Sequence, residues 1–349
     1  MNQPGTLLVR ADASSDIGVG HVMRCLALAQ AWLDRGGRVV FVVESCPEGI
    51  ARRLMVNRIG VERLGERAGS EADAHRTAAL ARDVGARWIV VDGYGFGPDY
   101  QEALSQGDHR TLVLDDHGYL RRYIADAILN QNIHANECLY PDAPDDTELL
   151  LGTSYALLRR EFSGTPRGEL RRADGQDARA QRVLVTLGGG DPDNATSIVL
   201  DGLQRIDHPL DVDVMVGAAN PHMEVLQKLA LASPHRIRLQ INVANVRPFM
   251  ERADVAVSAG GSTCWELCYL GVPILAVSIA DNQRPIAAGL SAAGAALDLG
   301  WHGSLTPESV ASRLGRLLSD PDRQGSMARV GRKMVDGRGA SRVTELLQG

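Results

Sequence analysis

The chain has 349 residues, a formal net charge of −6 at pH 7 and an apolar fraction of 44%. This length and composition are typical of a globular protein with two domains, each large enough for its own core. The acidic balance, with no Lys/Arg cluster long enough to follow a phosphate backbone, argues against nucleic acid as a partner.

Targeting and redox signals in the sequence indicate a cytoplasmic protein. The N-terminal residues lack a basic segment followed by a long apolar core, and no apolar run reaches the roughly 18 residues that a membrane span needs. Five cysteines are an odd count without Cys-x-x-Cys spacing, which suits a reducing compartment. Cys264 and Cys268 lie one helical turn apart, but no His or Asp completes a metal ligand set, so we interpret them as small buried residues.

The first half of the chain alternates apolar strands with helices. Strands are predicted at Thr6–Ala11, Arg38–Val43, Arg87–Asp92, Thr111–Asp115 and Ala127–Asn130. Helices are predicted at His21–Arg35, Pro47–Arg58, Ser70–Val84 and Pro98–Gly107. Continuous apolar strands separated by helices predict a doubly wound parallel sheet, with ligands at the carboxyl ends of the strands.

The same alternation restarts after a polar stretch rich in Gly, Pro, Asp and Arg. We interpret residues 164–181 as a linker between an N-terminal domain (1–163) and a C-terminal domain (182–349); the alternative is a surface loop within one domain. Strands are predicted at Arg182–Leu187, Val212–Val216, Ile237–Ile241, Val255–Ser258, Ile274–Ser278 and Ala295–Asp298. Helices are predicted at Asn194–Arg205, Pro221–Ala232, Val246–Glu251, Ser262–Tyr269, Gln283–Ala293, Pro307–Ser319 and Asp322–Leu347, the last broken near Gly337. We expect a ligand cleft between the domains, and the last helix to pack back on the N-terminal one.

The first of three glycine-rich turns, Gly18-Val19-Gly20-His21, joins a strand to a helix. Glycines let a ligand approach the backbone closely, and a helix N-terminus offers free N–H groups. The turn lacks the third glycine of a dinucleotide fingerprint, and the chain has no Gly-Lys-Ser/Thr of a P-loop. A titratable ring at this position suggests chemistry; the alternative is a histidine that packs or caps the helix without reacting.

The other two turns follow strands of the second half. Leu187-Gly188-Gly189-Gly190-Asp191 could contact a phosphate or a sugar, although such turns are common in α/β proteins. In Gly260-Gly261-Ser262-Thr263, the helix start could hold a diphosphate, and Glu266 could accept hydrogen bonds from a ribose diol. The alternative for the last turn is a capping box with a first-turn carboxylate.

Further polar residues stand at predicted strand ends. They are Asp92-Gly93-Tyr94, Asp115-Asp116-His117 and Asp281-Asn282-Gln283-Arg284, and each group could equally be turn chemistry. The Asp-x-Asp pairs at Asp191/Asp193 and Asp211/Asp213 have spacing used by metal-dependent sugar-nucleotide transferases, but a solvated strand face explains the second pair.

Together these motifs resemble the UDP-sugar hydrolases of pseudaminic acid biosynthesis. The residues that carry the likeness are Gly18–Arg24, Val91–Tyr94, Leu187–Asn194 and Ala259–Glu266, with Tyr155–Arg159 and Asp281–Gln283 in addition. That family has the GT-B architecture, in which two Rossmann-like doubly wound domains face each other across a cleft, and it is similar to the N-acetylglucosaminyltransferase that completes lipid II. This chain departs from the family at Gly190, where many members have Ser, and at Gly93, where a larger residue is frequent.

The resemblance implies hydrolysis of UDP-2,4-diacetamido-2,4,6-trideoxy-β-L-altropyranose, without cofactor or metal, by a monomer or weak homo-oligomer. It implies that UDP binds the C-terminal domain, that the sugar faces the N-terminal one, that His21 is the general base and that Asn282 contacts the substrate. The other residues expected to bind substrate or UDP are Gly18, Gly20, Arg24, Tyr94, Gly189, Gly190, Gly260, Gly261, Ser262, Thr263, Glu266 and Gln283.

The expected reaction is attack of water on the anomeric carbon with inversion. The helix start should favour the neutral ring of His21, and Asp12 or Asp16 could orient it. His117 is interpreted as structural or substrate-contacting. The rival functions are a glycosyltransferase that uses an acceptor in place of water, and a non-catalytic protein that binds nucleotide sugars.

Overall fold

The computed structural model of the chain describes residues 4–14, 17–162, 180–218 and 220–349. These residues form two compact units. The first unit contains the described residues up to 162 together with Gly337–Gly349, and the second contains residues 180–336. The predicted linker lies outside the described residues except for its last two, and Gln181 already belongs to a strand of the second unit.

The first unit alternates strands with helices, as its apolar pattern predicts. Its strands are β1 (Thr6–Ala11), β2 (Arg38–Val43), β3 (Gly60–Arg63), β4 (Ala86–Asp92), β5 (Arg110–Leu114), β6 (Ala127–Asn130) and β7 (Glu148–Leu151). Its helices before residue 162 are α1 (Gly20–Asp34), α2 (Glu48–Val56), α3 (Glu71–Asp83) and α4 (Pro98–Ser105), followed by 3-10 turns at Glu137–Leu139, Thr153–Tyr155 and Arg160–Phe162. The strands described in this unit form one parallel sheet in the order β3-β2-β1-β4-β5-β6-β7.

Helices cover both faces of this sheet, and its inner strands are therefore largely apolar, with buried Arg10 in β1 and Asp92 in β4 among the exceptions. Leu7, Leu8 and Val9 of β1 are fully buried; Leu7 and Val9 belong to one apolar cluster, and Leu8 to another on the opposite face. The sequence pattern does not predict β3 and β7, which lie at the two edges. Each has only four residues, mostly half-buried or exposed, so neither shows the long apolar run by which buried parallel strands are recognised.

The second unit repeats the arrangement. Its strands are β8 (Gln181–Thr186), β9 (Leu210–Val216), β10 (Arg236–Ile241), β11 (Val255–Ala259), β12 (Ile274–Ser278) and β13 (Ala296–Trp301). Its helices are α5 (Ala195–Leu203), α6 (Met223–Ala232), α7 (Arg247–Arg252), α8 (Thr263–Leu270), α9 (Arg284–Ala292), α10 (Pro307–Leu318) and α11 (Pro321–Met334), with 3-10 turns at Asp281–Gln283 and His302–Ser304. The parallel sheet has the order β10-β9-β8-β11-β12-β13, which is the Rossmann order. The prediction of two Rossmann-like, doubly wound domains is confirmed.

The last helix, α12 (Gly339–Gln348), belongs to the first unit. Val343 and Leu347 are buried in the same apolar cluster as α1. Arg35, at the end of α1, donates to Glu345 Oε1 at 2.8 Å. The chain thus leaves the first unit, completes the second and returns.

In each unit the strand order reverses beside the first strand, and this point determines where a ligand can bind. The reversal lies between β1 and β4 in the first sheet and between β8 and β11 in the second. Loops that follow such neighbouring strands diverge to opposite faces and leave a crevice at the carboxyl edge of the sheet. The three glycine-rich turns and Tyr94 follow the strands β1, β4, β8 and β11 that border these two crevices, whereas Asn282 and Gln283 follow β12.

Candidate active site

His21 stands where β1 gives way to α1. The loop closes on itself between Ser14 and Gly18, whose N–H donates to the Ser14 carbonyl oxygen at 3.0 Å. Gly18 has a φ of +76°, a conformation that favours glycine, and Gly20 opens the helix with free space at its Cβ position. His21 is the second helical residue, so the predicted turn does present an imidazole at a helix start.

The partner of His21 is Asp92, the last residue of β4. Nδ1 of His21 lies 2.7 Å from Asp92 Oδ1, and the register of the sheet places Asp92 beside Ala11 at the end of β1. An ionised carboxylate only accepts hydrogen bonds, so Nδ1 must carry the proton and donate it. Nε2 is then the lone-pair acceptor of the neutral ring. A buried carboxylate orients the general-base histidine in the same way in Ser-His-Asp triads.

The Asp92 carboxylate is completely buried and receives three further donors. Arg24 donates to Oδ1 at 2.6 Å through Nη2 and to Oδ2 at 2.7 Å through Nε, and the Cys25 thiol donates to Oδ2 at 3.3 Å. Burial alone would raise the pKa of Asp92, but Arg24 and His21 outweigh it and hold that pKa well below its usual range. Asp92 therefore stays ionised throughout the neutral range.

Arg24 joins Asp92 to a second buried carboxylate, Asp116. Its Nη1 donates to Asp116 Oδ1, which also accepts from the Asn132 amide at 3.1 Å. Burial would raise the pKa of Asp116, but Arg24 and the Tyr94 hydroxyl lower it on balance. Two ionised carboxylates surround one guanidinium, so the cluster of Asp92, Arg24 and Asp116 carries a net negative charge beside the imidazole.

The structure corrects the expectation that Asp12 could orient His21. Asp12 accepts the backbone N–H groups of Glu44 and Ser45 through Oδ1 and pairs with buried Arg10 through Oδ2. Asp16 lies outside the described residues. Sequence reasoning identified Asp92 as a strand-end residue but missed its contact with His21. The signal was present, since β1 and β4 are neighbours in the Rossmann strand order.

Arg24 has a different environment from the one expected of a ligand-binding cation. It is 8% exposed and surrounded by the two carboxylates. Tyr94, by contrast, is 44% exposed, and its ring meets that of His21 edge-on at 5.1 Å. His21, Arg24 and Tyr94 are therefore brought together, with Gly18 and Gly20 at the start of the same helix.

In the second unit, Asp191 occupies the N-terminus of α5. Its carboxylate accepts the N–H groups of Ala195 and Thr196, each at 2.9 Å. The helix start that could have held a phosphate after the glycine run is thus capped by the protein's own anion. Gly189 packs against Gly217, where an added Cβ would lie 2.1 Å from the Gly189 carbonyl oxygen, whereas Gly190 faces open space.

The start of α8 is the other predicted phosphate site. Ser262 is its N-cap residue and makes no side-chain capping bond within the described structure, so the capping-box alternative is wrong. Gly260 packs against Gln283, whose carbonyl oxygen would lie 3.0 Å from an added Cβ. The Gln283 side chain accepts the N–H of Ile279 at 3.1 Å, and Glu266, one turn into α8, is 9% exposed. Gly260, Gly261 and Gln283 are thus brought together at this edge, beside Ser262 and Thr263.

Asn282 is the remaining residue that the sequence predicts to contact the substrate. Asn282 lies on the 3-10 turn after β12, between Asp281, which pairs with Arg284, and Gln283.

Asp213 accepts from Arg238, Gln240 and Arg252 in an ion-pair network on the sheet. Burial raises the pKa of the Cys264 thiol to about 12, in keeping with a small buried residue. Among the described residues, no group of three or more His, Cys, Asp or Glu side chains could hold a metal ion.

Comparison with known proteins identifies a matching domain family in the second half of the chain and relatives that span most of it. Residues 196–338 match the glycosyltransferase family 28 C-terminal domain. The chain is similar to the spore coat polysaccharide biosynthesis protein SpsG of Bacillus subtilis, at 31% identity over 248 residues, or 70% of each chain. It is also similar to the UDP-2,4-diacetamido-2,4,6-trideoxy-β-L-altropyranose hydrolase of Campylobacter jejuni, at 24% identity over 82% of this chain and 97% of the relative.

A solved structure supports the same architecture. The MurG structure from Acinetobacter baumannii superposes with a TM-score of 0.71 over 99% of both chains, at 17% sequence identity. A likeness at this identity concerns the fold, which is GT-B. Within the described part of the chain, no helix has the length and apolar character that crossing a bilayer would need.

Proposed function

The chain belongs to the same family as the Bacillus subtilis spore coat polysaccharide biosynthesis protein SpsG, and from this premise we propose that it hydrolyses a UDP-sugar. The substrate class we propose is UDP-2,4-diacetamido-2,4,6-trideoxy-β-L-altropyranose, which the name of the Campylobacter relative specifies for that protein. The observation that carries the proposal is the His21–Asp92 pair, in which a buried carboxylate fixes the ring and leaves Nε2 as an acceptor.

In the proposed reaction, His21 Nε2 takes a proton from water while the water oxygen bonds to the anomeric carbon. The bond from that carbon to the diphosphate oxygen breaks, its electron pair leaves with UDP, and the configuration inverts. Asp92 holds the ring and stabilises the imidazolium, and Arg24 keeps Asp92 ionised. A positioned general base of this kind contributes about 10²–10⁴-fold to the rate.

The second unit would bind the nucleotide. N–H groups of Ser262 and Thr263, at the start of α8, would receive the diphosphate as its charge grows, in keeping with the helix dipole. Glu266 would accept from the ribose hydroxyls, and Asn282 and Gln283 would contact the acetamido groups of the sugar. Gly189 and Gly190 would border the nucleotide on the neighbouring loop.

Isotope labelling tests the proposal directly. The protein is incubated with the UDP-sugar in water enriched in heavy oxygen, and the products are analysed by mass spectrometry. Label in the free sugar is the expected result, since water attacks carbon. Label in UDP instead would mean attack at phosphorus and would overturn the mechanism.

A glycosyltransferase is the second candidate, because residues 196–338 match a glycosyltransferase C-terminal domain. Such an enzyme would use the same UDP-binding residues and the same base, which would then deprotonate an acceptor hydroxyl in place of water. It would release UDP only when an acceptor is added, and water alone would leave the UDP-sugar intact. The labelling experiment therefore separates the two functions.

A further inference from the structure

Two loops at the carboxyl edge of the first sheet are tied together by reciprocal hydrogen bonds. Tyr94, in the loop after β4, donates its hydroxyl to Asp116 Oδ2 at 2.6 Å. Tyr119, in the loop after β5, donates its hydroxyl to the Gly93 carbonyl oxygen at 3.1 Å. Each loop supplies one donor and one acceptor, so both phenol rings are held in fixed orientations.

The loop that carries Tyr119 is also held by hydrogen bonds to Asp115, a buried residue directly after β5. The buried carboxylate of Asp115 accepts the Gly118 N–H at 2.6 Å and the Tyr140 hydroxyl at 2.7 Å. Gly118 has a φ of +67°, and an added Cβ there would lie 2.5 Å from the Leu139 carbonyl oxygen. The loop is therefore preorganised, and its rings need no further ordering when a ligand binds.

Three rings of these loops form a continuous aromatic wall, which we define as Tyr94, His117 and Tyr119. The ring centroids lie 5.9 Å apart for Tyr94 and His117, and 5.5 Å apart for each of the other two pairs. Tyr94 and His117 are exposed, and Tyr94 also meets the candidate base His21 at 5.1 Å. The wall thus begins one ring away from the base.

We propose that the aromatic wall holds the sugar of the nucleotide sugar and selects a methyl group at C6 over a hydroxymethyl group. This inference rests on the proposed function, whose substrate is a 6-deoxy sugar. The hydroxyl protons of Tyr94 and Tyr119 are already donated to the protein, so neither residue can donate a hydrogen bond to the sugar, and their ring faces and C–H edges are the contacts that we propose. Such a surface suits the C–H edge of a deoxy sugar, whereas a C6 hydroxyl placed against it would lose hydrogen bonds to water.

A pair of matched probes tests the wall. UDP-2-acetamido-2,6-dideoxyglucose and UDP-N-acetylglucosamine differ only at the C6 hydroxyl, and both are titrated into the full chain by calorimetry, with UDP as a third ligand. We expect the 6-deoxy probe to bind about tenfold more tightly than the 6-hydroxy probe. Equal affinities in the unchanged protein would overturn the proposal.

Substitutions at His117 locate the effect, because this side chain is exposed and its removal spares the core. His117→Ala should weaken the 6-deoxy probe about five- to tenfold and leave UDP affinity unchanged, whereas His117→Phe should retain the preference. His75→Ala, at an exposed histidine of α3, is the matched control. If His117→Phe lost as much affinity for the 6-deoxy probe as His117→Ala, the imidazole and not an aromatic surface would be responsible. That result would overturn the proposal.

The titration tests the aromatic wall and the labelling experiment tests the hydrolase, so either proposal can be contradicted while the other is supported. Selective binding of the 6-deoxy probe without label in the sugar would support the wall and contradict the hydrolase. Label in the sugar together with equal affinities for the two probes would support the hydrolase and contradict the wall.

Discussion

Nδ1 of His21 lies 2.7 Å from Asp92 Oδ1, although the two residues are 71 positions apart in the chain. His21 is the second residue of α1 and Asp92 is the last of β4, and the pair meets because β4 lies beside β1 in the sheet. The contact gives the imidazole one tautomer and leaves Nε2 as the basic nitrogen.

This relationship predicts a steep loss of turnover when either residue changes. His21→Ala should lower kcat by about 10²–10⁴-fold, and Asp92→Asn by about 10²-fold or more, because the amide can hold the ring in the wrong tautomer. Steady-state release of UDP measures both effects. UDP affinity, measured by calorimetry, should stay within twofold because the proposed nucleotide residues belong to the second unit. Near-normal turnover of His21→Ala would remove His21 as the base; His75→Ala serves as the control.

The buried carboxylates predict how stability depends on pH. The pKa values of Asp92 and Asp116 are lower in the folded protein than in the unfolded chain, so the stability they contribute is complete above the unfolded carboxyl range, near pH 4. It is lost as the pH falls below that range toward the folded pKa values. Urea unfolding between pH 7 and pH 3 should show this loss, and Asp116→Asn should make the loss shallower. Asp99→Asn, at an exposed residue of α4, should not change the slope; equal slopes for all three proteins would contradict the assignment.

Arg24 should matter more for stability than any surface arginine. Arg24→Met leaves two buried carboxylates without their shared cation, which should cost about 3–5 kcal/mol in the free energy of unfolding. Arg35→Met is the matched control, since Arg35 pairs with the exposed Glu345, and it should cost less than about 1 kcal/mol. Adding Asp116→Asn to Arg24→Met should recover part of the loss. Costs of the same size for Arg24→Met and Arg35→Met would show that the buried group is not electrostatically coupled.

Two glycines of the second unit should respond differently to alanine. A Cβ at Gly260 would lie 3.0 Å from the Gln283 carbonyl oxygen and 3.3 Å from its Cβ, so Gly260→Ala should destabilise the protein by about 1–3 kcal/mol. Because the turn moves with Gln283, we also expect weaker UDP binding. Gly190 faces open space, and Gly190→Ala should leave the free energy of unfolding within about 0.5 kcal/mol. Thermal unfolding and calorimetry measure both, and equal destabilisation by the two substitutions would contradict the packing argument.

The elements of the fold were largely predictable because each buried parallel strand is a run of apolar residues that can be read from the sequence. β1, β2, β6 and β12 have the predicted bounds, since each is a short apolar run between polar turns. The edge strands β3 and β7 escaped prediction because each has only four residues, mostly half-buried or exposed, and lacks a long apolar run. The glycine turn before His21 was also predictable, because it depends only on residues next to one another in the chain. The positive φ of Gly18 agrees with the need for glycine there.

The partners of the site residues could not be predicted in the same way. Asp12 and Asp16 are the acidic residues nearest to His21 in sequence, yet Asp12 is engaged with Arg10 and the Glu44–Ser45 backbone. Arg24 bonds to Asp116, 92 residues away. Asp191 likewise binds the start of its own helix, so the glycine run before it is not the free phosphate site that the motif suggested.

The sequence by itself determined the two alternations of strand and helix, the glycines that turn the chain and the histidine at the start of α1, because these depend on residues within one helical turn or one strand. Only the tertiary structure decided which carboxylate holds that histidine, what Arg24 does and how Tyr94 and Tyr119 cross-link their loops. Those contacts depend on the order of strands in the sheet, which brings together the ends of β1, β4 and β5 from distant parts of the chain.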